Sequence, residues 1–264
     1  MNPGTTEGRE SQEQSAQELQ TALETCRAEK EDAEHRAAAF SAAAEEMETL
    51  AYAVAHDLKS PLRSMLSFTQ LLTRRLPDDP EIKEYAGHII AGAAEMQAVI
   101  EAVQRLAKVS KPKGAGTRTT IRLDVILQLA LLGLQTKLKE CGAEVKFGNL
   151  PEVAVDESQF KELFENLIRN SILYRGSEPP RIAIRADESR DEYTISVQDN
   201  GVGIEKEYQE KVFKPFSRLH NKDYPGVGLG LTISRKIVET HGGRMWVESD
   251  GQTGSTFRFT LPIQ

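Results

Sequence analysis

The sequence predicts an α+β protein in which an N-terminal helical part is followed by a mixed α/β layered domain. Apolar residues keep a seven-residue repeat from Leu19 to Leu76, which is typical of a helix that packs against other helices. After residue 118, short runs of alternating apolar residues are interspersed with helical stretches, a pattern that indicates a sheet covered by helices. We expect a disordered start (1–15), a coiled-coil helix (16–50), a helical hairpin (51–110), a linker (111–118) and the α/β domain (119–264).

The heptad repeat predicts one long first helix. A second helix follows a turn rich in Pro and Asp at 76–80, and it carries its own apolar stripe from Ile82 to Leu106. Such a hairpin buries its apolar side best by dimerising, so we expect a homodimer with a four-helix bundle. The heptad positions are Leu19, Leu23, Cys26, Lys30, Ala33, Ala37, Phe40, Ala44, Met47, Ala51, Val54, Leu58, Leu62, Met65, Thr69, Leu72 and Leu76.

The α/β domain is predicted from the change of period along the chain. Pro112 and nearby glycines end the second helix, and strand-like and helix-like stretches then alternate. We expect helices near 124–140, 156–174 and 229–241, and strands starting at 119 and near 144–147, 152–155, 181–186, 193–198, 244–247 and 255–261.

Composition limits the functional classes. The formal net charge is −7, with 39% hydrophobic and 28% charged residues, which describes an ordinary soluble protein without a basic footprint for nucleic acid. No stretch approaches the roughly 18 apolar residues of a membrane span, and the N-terminus has no signal-peptide core, so we expect a cytoplasmic location. Cys26 and Cys141 indicate neither a disulfide framework nor a metal site.

A histidine followed by a carboxylate stands out in the first helix, at His56 and Asp57. With Val54 and Leu58 at the d and a positions, His56 falls at position f and points away from the seam. The carboxylate can hold one imidazole tautomer and leave the other nitrogen free to attack, as phosphoryl transfer to histidine requires. Ser60 lies one turn further on, where its hydroxyl could bond to a water or phosphate. Such pairs are also common on helices without catalytic function.

Two motifs of the α/β domain suit a nucleotide. Asn166 and Asn170 lie one helical turn apart, and an amide oxygen there can ligate Mg²⁺. Asp199 follows a strand and precedes Gly201 and Gly203. Its carboxylate can accept a hydrogen bond from an adenine amino group while the glycines let the backbone lie against the ring.

Two more motifs follow in the chain. Phe213 and Phe216 could anchor one end of a mobile loop. Gly226, Gly228 and Gly230 form a glycine-rich turn that opens a helix, where free N–H groups and the helix dipole favour phosphate. Each motif alone is common in proteins that bind no nucleotide, whereas the ordered set is far more specific.

In this order, the histidine box and the four motifs closely resemble those of two-component sensor histidine kinases, over roughly residues 51–262. The resemblance implies a dimerisation and histidine phosphotransfer hairpin followed by an ATP-binding sandwich of the Bergerat type. It also implies that His56 is the phosphoacceptor, Asp57 its partner carboxylate and Asn170 the Mg²⁺ ligand. The residues that it assigns to nucleotide binding are Asn166, Asn170, Tyr174, Asp199, Gly201, Gly203, Arg218, Gly226, Gly228, Gly230 and Thr256.

The resemblance suggests roles for three of these residues, and the chain differs from the family pattern at two other positions. By the resemblance, Tyr174 lies beside adenine and Arg218 contacts phosphate, whereas an ordinary strand threonine explains Thr256 as well as pocket lining does. The family usually has lysine where this chain has Leu173, a loss for which Arg169, Arg175 or Lys222 could compensate. Bifunctional members usually carry Thr or Asn where this chain has Ser60, so weak phosphatase activity is expected.

The implied function is ATP-dependent autophosphorylation on His56, followed by transfer to an aspartate of a separate response regulator. An upstream sensory domain or sensor protein would supply the signal. One alternative is a pseudokinase or dimeric adaptor that binds nucleotide without phosphotransfer. A simple ATPase is disfavoured because related ATPases use a glutamate where Asn166 stands, and an amide is not a base at neutral pH.

Overall fold

The computed structural model of the chain describes residue 30 and residues 50–75, 79–110, 118–219 and 226–263. The predicted disordered start, the coiled coil before residue 50, nearly all of the linker and Lys222 lie outside these residues. Among the helices that are described, none is long and apolar enough to cross a lipid bilayer.

A helical hairpin forms the N-terminal part of the described structure. Its first helix, α1, covers residues 50–75 and continues through Pro61, and its second, α2, is Pro80–Ser110. Ala55 and Leu62 of α1 are buried together with Ala93 and Ile100 of α2. The small alanines let the two helices approach closely, while the larger side chains fill the remaining space.

A second apolar face of the hairpin stays exposed in the single chain. Of the predicted heptad positions, Leu62 is buried inside the hairpin, whereas most of the others that are described stay accessible. So many exposed large apolar side chains on one hairpin indicate an interaction site. Its members are Leu50, Tyr52, Val54, Leu58, Met65, Phe68, Leu71, Leu72, Tyr85, Ile89 and Met96.

The α/β domain follows the predicted alternation closely. Its helices are α3 (Leu123–Gly133), α4 (Gln135–Glu140), α5 (Glu157–Leu173) and α6 (Gly230–Thr240). Its strands are β1 (Thr119–Arg122), β2 (Glu144–Phe147), β3 (Glu152–Val155), β4 (Arg181–Glu188), β5 (Glu192–Gln198), β6 (Met245–Glu248) and β7 (Thr256–Pro262).

The strands form two sheets. A five-stranded sheet has the order β2-β4-β5-β7-β6, in which β2 and β4 are parallel and the other pairs antiparallel. Strands β1 and β3 form a separate antiparallel pair. Alternate strand residues such as Ile195, Val197 and Phe259 point towards the helices and are fully buried. The predicted α+β class, with a helical hairpin and an α/β sandwich, is confirmed.

Two local predictions differ from the structure. The single helix predicted near 124–140 is divided at Leu134, whose ψ of 4° takes it out of helical geometry between α3 and α4. Two short 3₁₀ helices, Lys206–Tyr208 and Lys211–Phe213, lie in a stretch for which no element was predicted. Three-residue turns are too short to produce a hydrophobic period.

The last part of α2 packs against the α/β domain. Ala102 and Val109 are buried in the same core as α5 and α6. Arg105 of α2 forms an ion pair with Glu162 of α5, with 3.3 Å between Nε and Oε1. Burial raises the pKa of Glu162 above its usual value despite the nearby guanidinium. The hairpin therefore does not end at a free boundary, because its second helix contributes side chains to the next core.

Candidate functional site

Asp199 lies at the centre of the predicted pocket, directly after β5. Its Oδ1 accepts hydrogen bonds from the backbone N–H of Gly201 at 2.9 Å and of Ser255 at 3.1 Å. Its Oδ2 accepts from the Ser171 hydroxyl at 3.3 Å. Burial raises the pKa of Asp199, and the three hydrogen bonds oppose that rise. The carboxylate is thus fixed in position by donors that favour its charged form.

Glycines let backbone segments approach one another around Asp199. A Cβ on Gly201 would lie 2.6 Å from the carbonyl oxygen of Tyr174, and one on Gly254 would lie 2.0 Å from the carbonyl oxygen of Asp199. Gly203 has a φ of 79° and faces the backbone nitrogen of Gln252. Any side chain at these positions would force the walls of the pocket apart.

The two predicted asparagines lie on the last turns of α5. Asn166 Nδ2 donates to the carbonyl oxygen of Gly230 at 3.3 Å, which joins α5 to the start of α6. Asn170 is half-buried, and within the described part of the chain no hydrogen bond involves its side chain. Its amide oxygen is therefore available to a ligand, whereas the amide of Asn166 has a structural partner.

The C-terminal end of α5 forms one side of the pocket. Tyr174 caps the helix, and its carbonyl oxygen accepts from Val202 N–H at 3.0 Å, beside Gly201. Leu173 is half-buried at the last helical position. Arg175 donates to the carbonyl oxygen of Ile172.

Basic residues near the pocket are partly committed to protein contacts. Arg169 forms an ion pair with Glu165 at 3.1 Å, so it has a local partner, as Arg175 has. Neither contact indicates that Arg169 or Arg175 takes the place of the lysine that the resemblance predicts at position 173. Arg218 is half-buried, and its Cγ would be 3.2 Å from a Cβ on Gly228.

The glycine-rich turn is packed on the preceding aromatic loop. Gly228 has a φ of 75°, and a Cβ there would lie 2.8 Å from the carbonyl oxygen of Ser217 and 3.0 Å from the carbonyl carbon of Phe216. Gly226 has a φ of 146° and open space around it. Gly230 is the first residue of α6, so free backbone N–H groups lie at the end of the turn.

The two phenylalanines have different environments. Phe213 is buried against Phe257 at 6.4 Å between ring centroids, with the Arg235 guanidinium 3.8 Å above its ring. Phe216 is exposed and has a φ of 59°, the one positive φ found for a non-glycine residue among the described ranges. Phe213 therefore anchors the loop, as predicted, and Phe216 does not.

Ser255, and not Thr256, contacts Asp199. Thr256 begins β7 and pairs in register with Gln198 and Glu248. Ser255 makes its contacts with Asp199 through backbone groups, its N–H donating to Oδ1 and its carbonyl oxygen accepting from the Asp199 N–H. The pocket-lining role of Thr256 stays a prediction.

The candidate acceptor lies on α1. The side chain of His56 is 72% exposed, as the heptad phase predicts, and its Nδ1 is 3.3 Å from Asp57 Oδ1. Ser60 is exposed, and its carbonyl oxygen accepts from the Ser64 hydroxyl. Among the described residues, no hydrogen bond or ion pair joins these three side chains to the α/β domain. The pocket and the acceptor are therefore separate sites in this arrangement.

Some pocket residues were not identified from the sequence. Ser171 falls on the buried face of α5, where a polar residue indicates a specific partner. In the sequence, its position next to Asn170 is the feature that could have indicated this role. Ser249 and Gln209 hold the loop after Asp199. Ser249 follows β6 and Gln209 lies in the turn between the two 3₁₀ helices, so no local pattern indicates their role.

The pocket residues fit an adenine nucleotide bound with a divalent cation. Groups of three or more His, Cys, Asp or Glu that could hold a resident metal are absent from the described ranges. Mg²⁺ is often held by one or two protein oxygens together with substrate phosphates, which suits the single available amide oxygen of Asn170. A buried carboxylate, close backbone segments and helix N-terminal N–H groups complete the set.

Family comparisons match both parts of the chain. Residues 46–112 match the family described as "His Kinase A (phospho-acceptor) domain". Residues 155–264 match the family described as "Histidine kinase-, DNA gyrase B-, and HSP90-like ATPase". The first range contains the hairpin with His56, and the second contains all four motifs of the pocket.

Curated relatives give the same result. The chain is 37% identical over 221 residues to phytochrome-like protein Cph1 of Synechocystis sp., covering 83% of this chain and 29% of the relative. It is 30% identical over 236 residues to sensor protein FixL of Bradyrhizobium diazoefficiens, covering 82% of this chain and 43% of the relative. The chain therefore spans less than half of the length of these relatives.

Solved structures share the fold. Full-length ShkA in complex with AMPPNP has a TM-score of 0.64 at 19% identity and covers 81% of this chain and 45% of that chain. Histidine kinase ThkA in complex with the response regulator protein TrrA has a TM-score of 0.55 at 24% identity, covering 80% of this chain and 60% of that one. At these identities the likeness supports the architecture alone.

Proposed function

Because the chain belongs to the two-component sensor histidine kinases, we propose that it is a protein kinase that transfers phosphate from ATP to His56. The phosphoryl group then passes to an aspartate of a separate response regulator. The observation that carries the proposal is the combination of an exposed His-Asp pair on a hairpin with a buried, hydrogen-bonded Asp199 in a pocket of the following domain.

The acceptor chemistry follows from the His56–Asp57 contact. With Nδ1–H directed to the Asp57 carboxylate, Nε2 keeps its lone pair and attacks the γ-phosphorus of ATP. The bond from that phosphorus to the bridging oxygen breaks, and ADP leaves with the electron pair. Asp57 stabilises the positive charge that develops on the ring, although its exposure makes this contribution modest.

The pocket residues bind and orient the nucleotide. Asp199 accepts a hydrogen bond from the exocyclic amino group of adenine, and its carboxylate is held ready by Gly201, Ser255 and Ser171. The N–H groups before α6 face the phosphates. Mg²⁺ held by Asn170 would supply positive charge that neutralises the phosphates.

Transfer to histidine is favoured over hydrolysis at this site. Asn166 donates an amide N–H to the Gly230 carbonyl oxygen, and it has no carboxylate that could take a proton from water. An amide is not a general base at neutral pH. The domain therefore binds ATP without a side chain at this position that activates water.

Partners follow from the exposed surfaces. The apolar face of the hairpin supports a homodimer that builds a four-helix bundle. The exposed His56 supports access by a receiver domain once it carries the phosphoryl group. A sensory domain or sensor protein is proposed as the source of the signal, since the longer relatives include a phytochrome-like protein and FixL.

Labelling with γ-labelled ATP and Mg²⁺ tests the proposal. The label is expected to be acid-labile and base-stable, and to be absent from His56→Gln. His88→Gln is the matched control, because His88 is likewise an exposed helical histidine with a carboxylate nearby, Glu84 at 3.8 Å. Label that persists in His56→Gln would contradict the assignment of the acceptor.

The specific observation that favours a second candidate is Leu173, which replaces an expected cation beside the phosphates. Without that cation, the chain would act as a nucleotide-binding adaptor that signals through dimer contacts. Measurable ADP binding without any label on the wild-type chain would support the adaptor. Introducing the cation, Leu173→Lys, is expected to increase the labelling rate if the chain is a kinase.

A further inference from the structure

We propose that Ser249 is a positioning residue for adenine recognition, which acts by joining the two loops that form the walls of the Asp199 pocket. One wall is the segment 199–204, and the other is the turn 249–255 between β6 and β7. This inference rests on the proposed nucleotide site and assigns a role within it to a residue outside the four motifs.

The Ser249 hydroxyl makes one hydrogen bond to the opposite wall and two within its own turn. It donates to the carbonyl oxygen of Gly254 at 2.7 Å. It accepts from the backbone N–H of Ile204 at 2.9 Å and from that of Gly251 at 3.2 Å. A hydroxyl has one donor and two acceptor sites, so every site is occupied and its orientation is fixed.

Gln209, in the turn between the two 3₁₀ helices, strengthens the same connection. Its side-chain nitrogen donates to the carbonyl oxygen of Ser249 at 2.8 Å and to that of Ile204 at 3.3 Å. The amide therefore bridges one residue of each wall, as the serine hydroxyl does. We call the side chains of Ser249 and Gln209 together the clamp.

The walls are in contact at glycines, so a small displacement changes the pocket. A Cβ on Gly203 would lie 2.6 Å from the Gln252 nitrogen, and one on Gly254 would overlap the Asp199 carbonyl oxygen. The turn is stiff in itself, because Asp250 accepts from the backbone N–H groups of Gln252 and Thr253 at 2.8 Å each. A stiff turn that is released from the clamp would move as a unit.

The clamp acts on Asp199 through Ser255. Ser249 holds the carbonyl oxygen of Gly254, the residue directly before Ser255, whose N–H donates to Asp199 Oδ1. The backbone N–H of Asp199 also donates to the carbonyl oxygen of Ser255 at 2.9 Å. Loss of the hydroxyl would therefore loosen the donor that aligns the carboxylate with the adenine amino group.

The test compares binding of ADP and GDP by the full chain, using calorimetry. The wild-type chain is expected to prefer ADP, since a guanine carbonyl would face the Asp199 carboxylate. Ser249→Ala is expected to weaken ADP binding about tenfold, as loss of one to three hydrogen bonds implies, and to reduce the preference for ADP by a similar factor. A purely structural role would not change that preference.

Ser189→Ala is the matched control, because its hydroxyl also joins backbone groups of a turn, donating to the Glu192 carbonyl at 2.7 Å, at the other end of β5. This variant is expected to keep both affinities. If Ser249→Ala does not fold, Gln209→Ala is measured instead, with about a threefold loss expected from two weaker bonds.

Unchanged ADP affinity in the folded variant would overturn the inference, as would equal losses for ADP and GDP. Failure of the wild-type chain to bind ADP would contradict the proposed function together with the inference. Tight binding by the wild-type chain that Ser249→Ala retains would contradict the role of Ser249 alone.

Discussion

The hydroxyl of Ser171 lies 3.3 Å from Oδ2 of Asp199, so a buried serine on α5 reaches across to the carboxylate that follows β5. The same hydroxyl is 3.2 Å from the carbonyl oxygen of Leu167. Together with the two backbone donors on Oδ1, this contact leaves Asp199 with a fixed orientation but a pKa still raised by burial. Burial therefore favours the neutral form of Asp199 in the folded chain, whereas the proposed hydrogen bond from adenine needs the charged carboxylate.

Replacing the Asp199 carboxylate with an amide is expected to affect ADP binding and the stability of the fold differently. In Asp199→Asn, the amide oxygen can still accept from Gly201 and Ser255, and the amide group can donate to Ser171. We expect ADP binding to be lost and the melting temperature without nucleotide to stay the same or rise. Calorimetric binding and thermal unfolding measure the two effects. Retained ADP affinity would exclude Asp199 as the adenine acceptor.

The affinity for ADP should depend on pH with a predictable sign. Because the pKa of Asp199 is raised in the folded chain above the ordinary value of about 3.9, lowering the pH protonates it earlier than an exposed aspartate. ADP affinity is therefore expected to fall as the pH drops through that raised pKa.

The contribution of Asp199 to stability has the opposite sign. A carboxyl group with a raised pKa binds its proton more tightly in the folded chain, so stability without nucleotide declines as the pH rises from the unfolded pKa through the folded one. ADP-binding curves of the wild-type chain between pH 4 and 8 measure the first slope, and the difference between the unfolding free energies of the wild-type chain and Asp199→Asn over the same range measures the second. Parallel slopes for the two quantities would contradict the assignment.

Gly201, in the second motif, is expected to be required for binding because the structure leaves no room for a side chain there. Gly201 has an ordinary φ, yet a Cβ there would lie 2.6 Å from the Tyr174 carbonyl oxygen. We expect Gly201→Ala to weaken ADP binding by about tenfold or more, since α5 and the loop must separate. Gly176→Ala is the control, because nothing lies within 4 Å of its Cβ position. Equal binding by both variants would show that the loop adapts.

A buried histidine should stabilise the contact between α5 and α6. His241 Nε2 accepts from the backbone N–H of Asp156, the N-cap of α5, at 3.2 Å, and Nδ1 donates to the Ile237 carbonyl oxygen at 2.7 Å. His241→Phe keeps the edge-to-face packing on Phe160 but leaves the Asp156 N–H without this acceptor. The free energy of unfolding in urea is expected to fall by about 1–3 kcal/mol.

The exposed His88 supplies the comparison for this variant. His88→Gln removes an imidazole from the surface of α2 and is expected to change the unfolding free energy by less than about 0.5 kcal/mol. If His241→Phe also has so small an effect, the hydrogen bond to Asp156 does not stabilise the fold.

Most of the fold could be predicted from the sequence because the apolar residues of its helices and strands recur at clear helical or strand spacing. The strands at Glu144–Phe147 and Glu152–Val155 match the predicted ranges, and α5 lies between the predicted Asp156 and Tyr174. The division at Leu134 was missed because both halves carry helical residues, and only backbone geometry separates them.

The candidate site was predicted where a motif is continuous in the chain and missed where it depends on distant contacts. The positions of Asp199, Gly201 and Gly203 follow from one short segment. Ser171 and Ser249 contribute through bonds that span 28 and 45 residues, and no local pattern encodes such contacts. The backbone contact of Ser255 with Asp199 was missed because a motif gives the segment but not its hydrogen bonds, and the role of Thr256 stays a prediction.

The packing of α2 makes the hairpin and the α/β domain mechanically continuous. Because Ala102 and Val109 are buried in the core beside α5 and α6, a twist of the hairpin about its own axis would strain the packing of α2 on these two helices. A rotation of the hairpin near His56 would then reach α6 through the packing of α2, without passing through residues 111–117. Helix α2 therefore couples the hairpin directly to the core of the α/β domain.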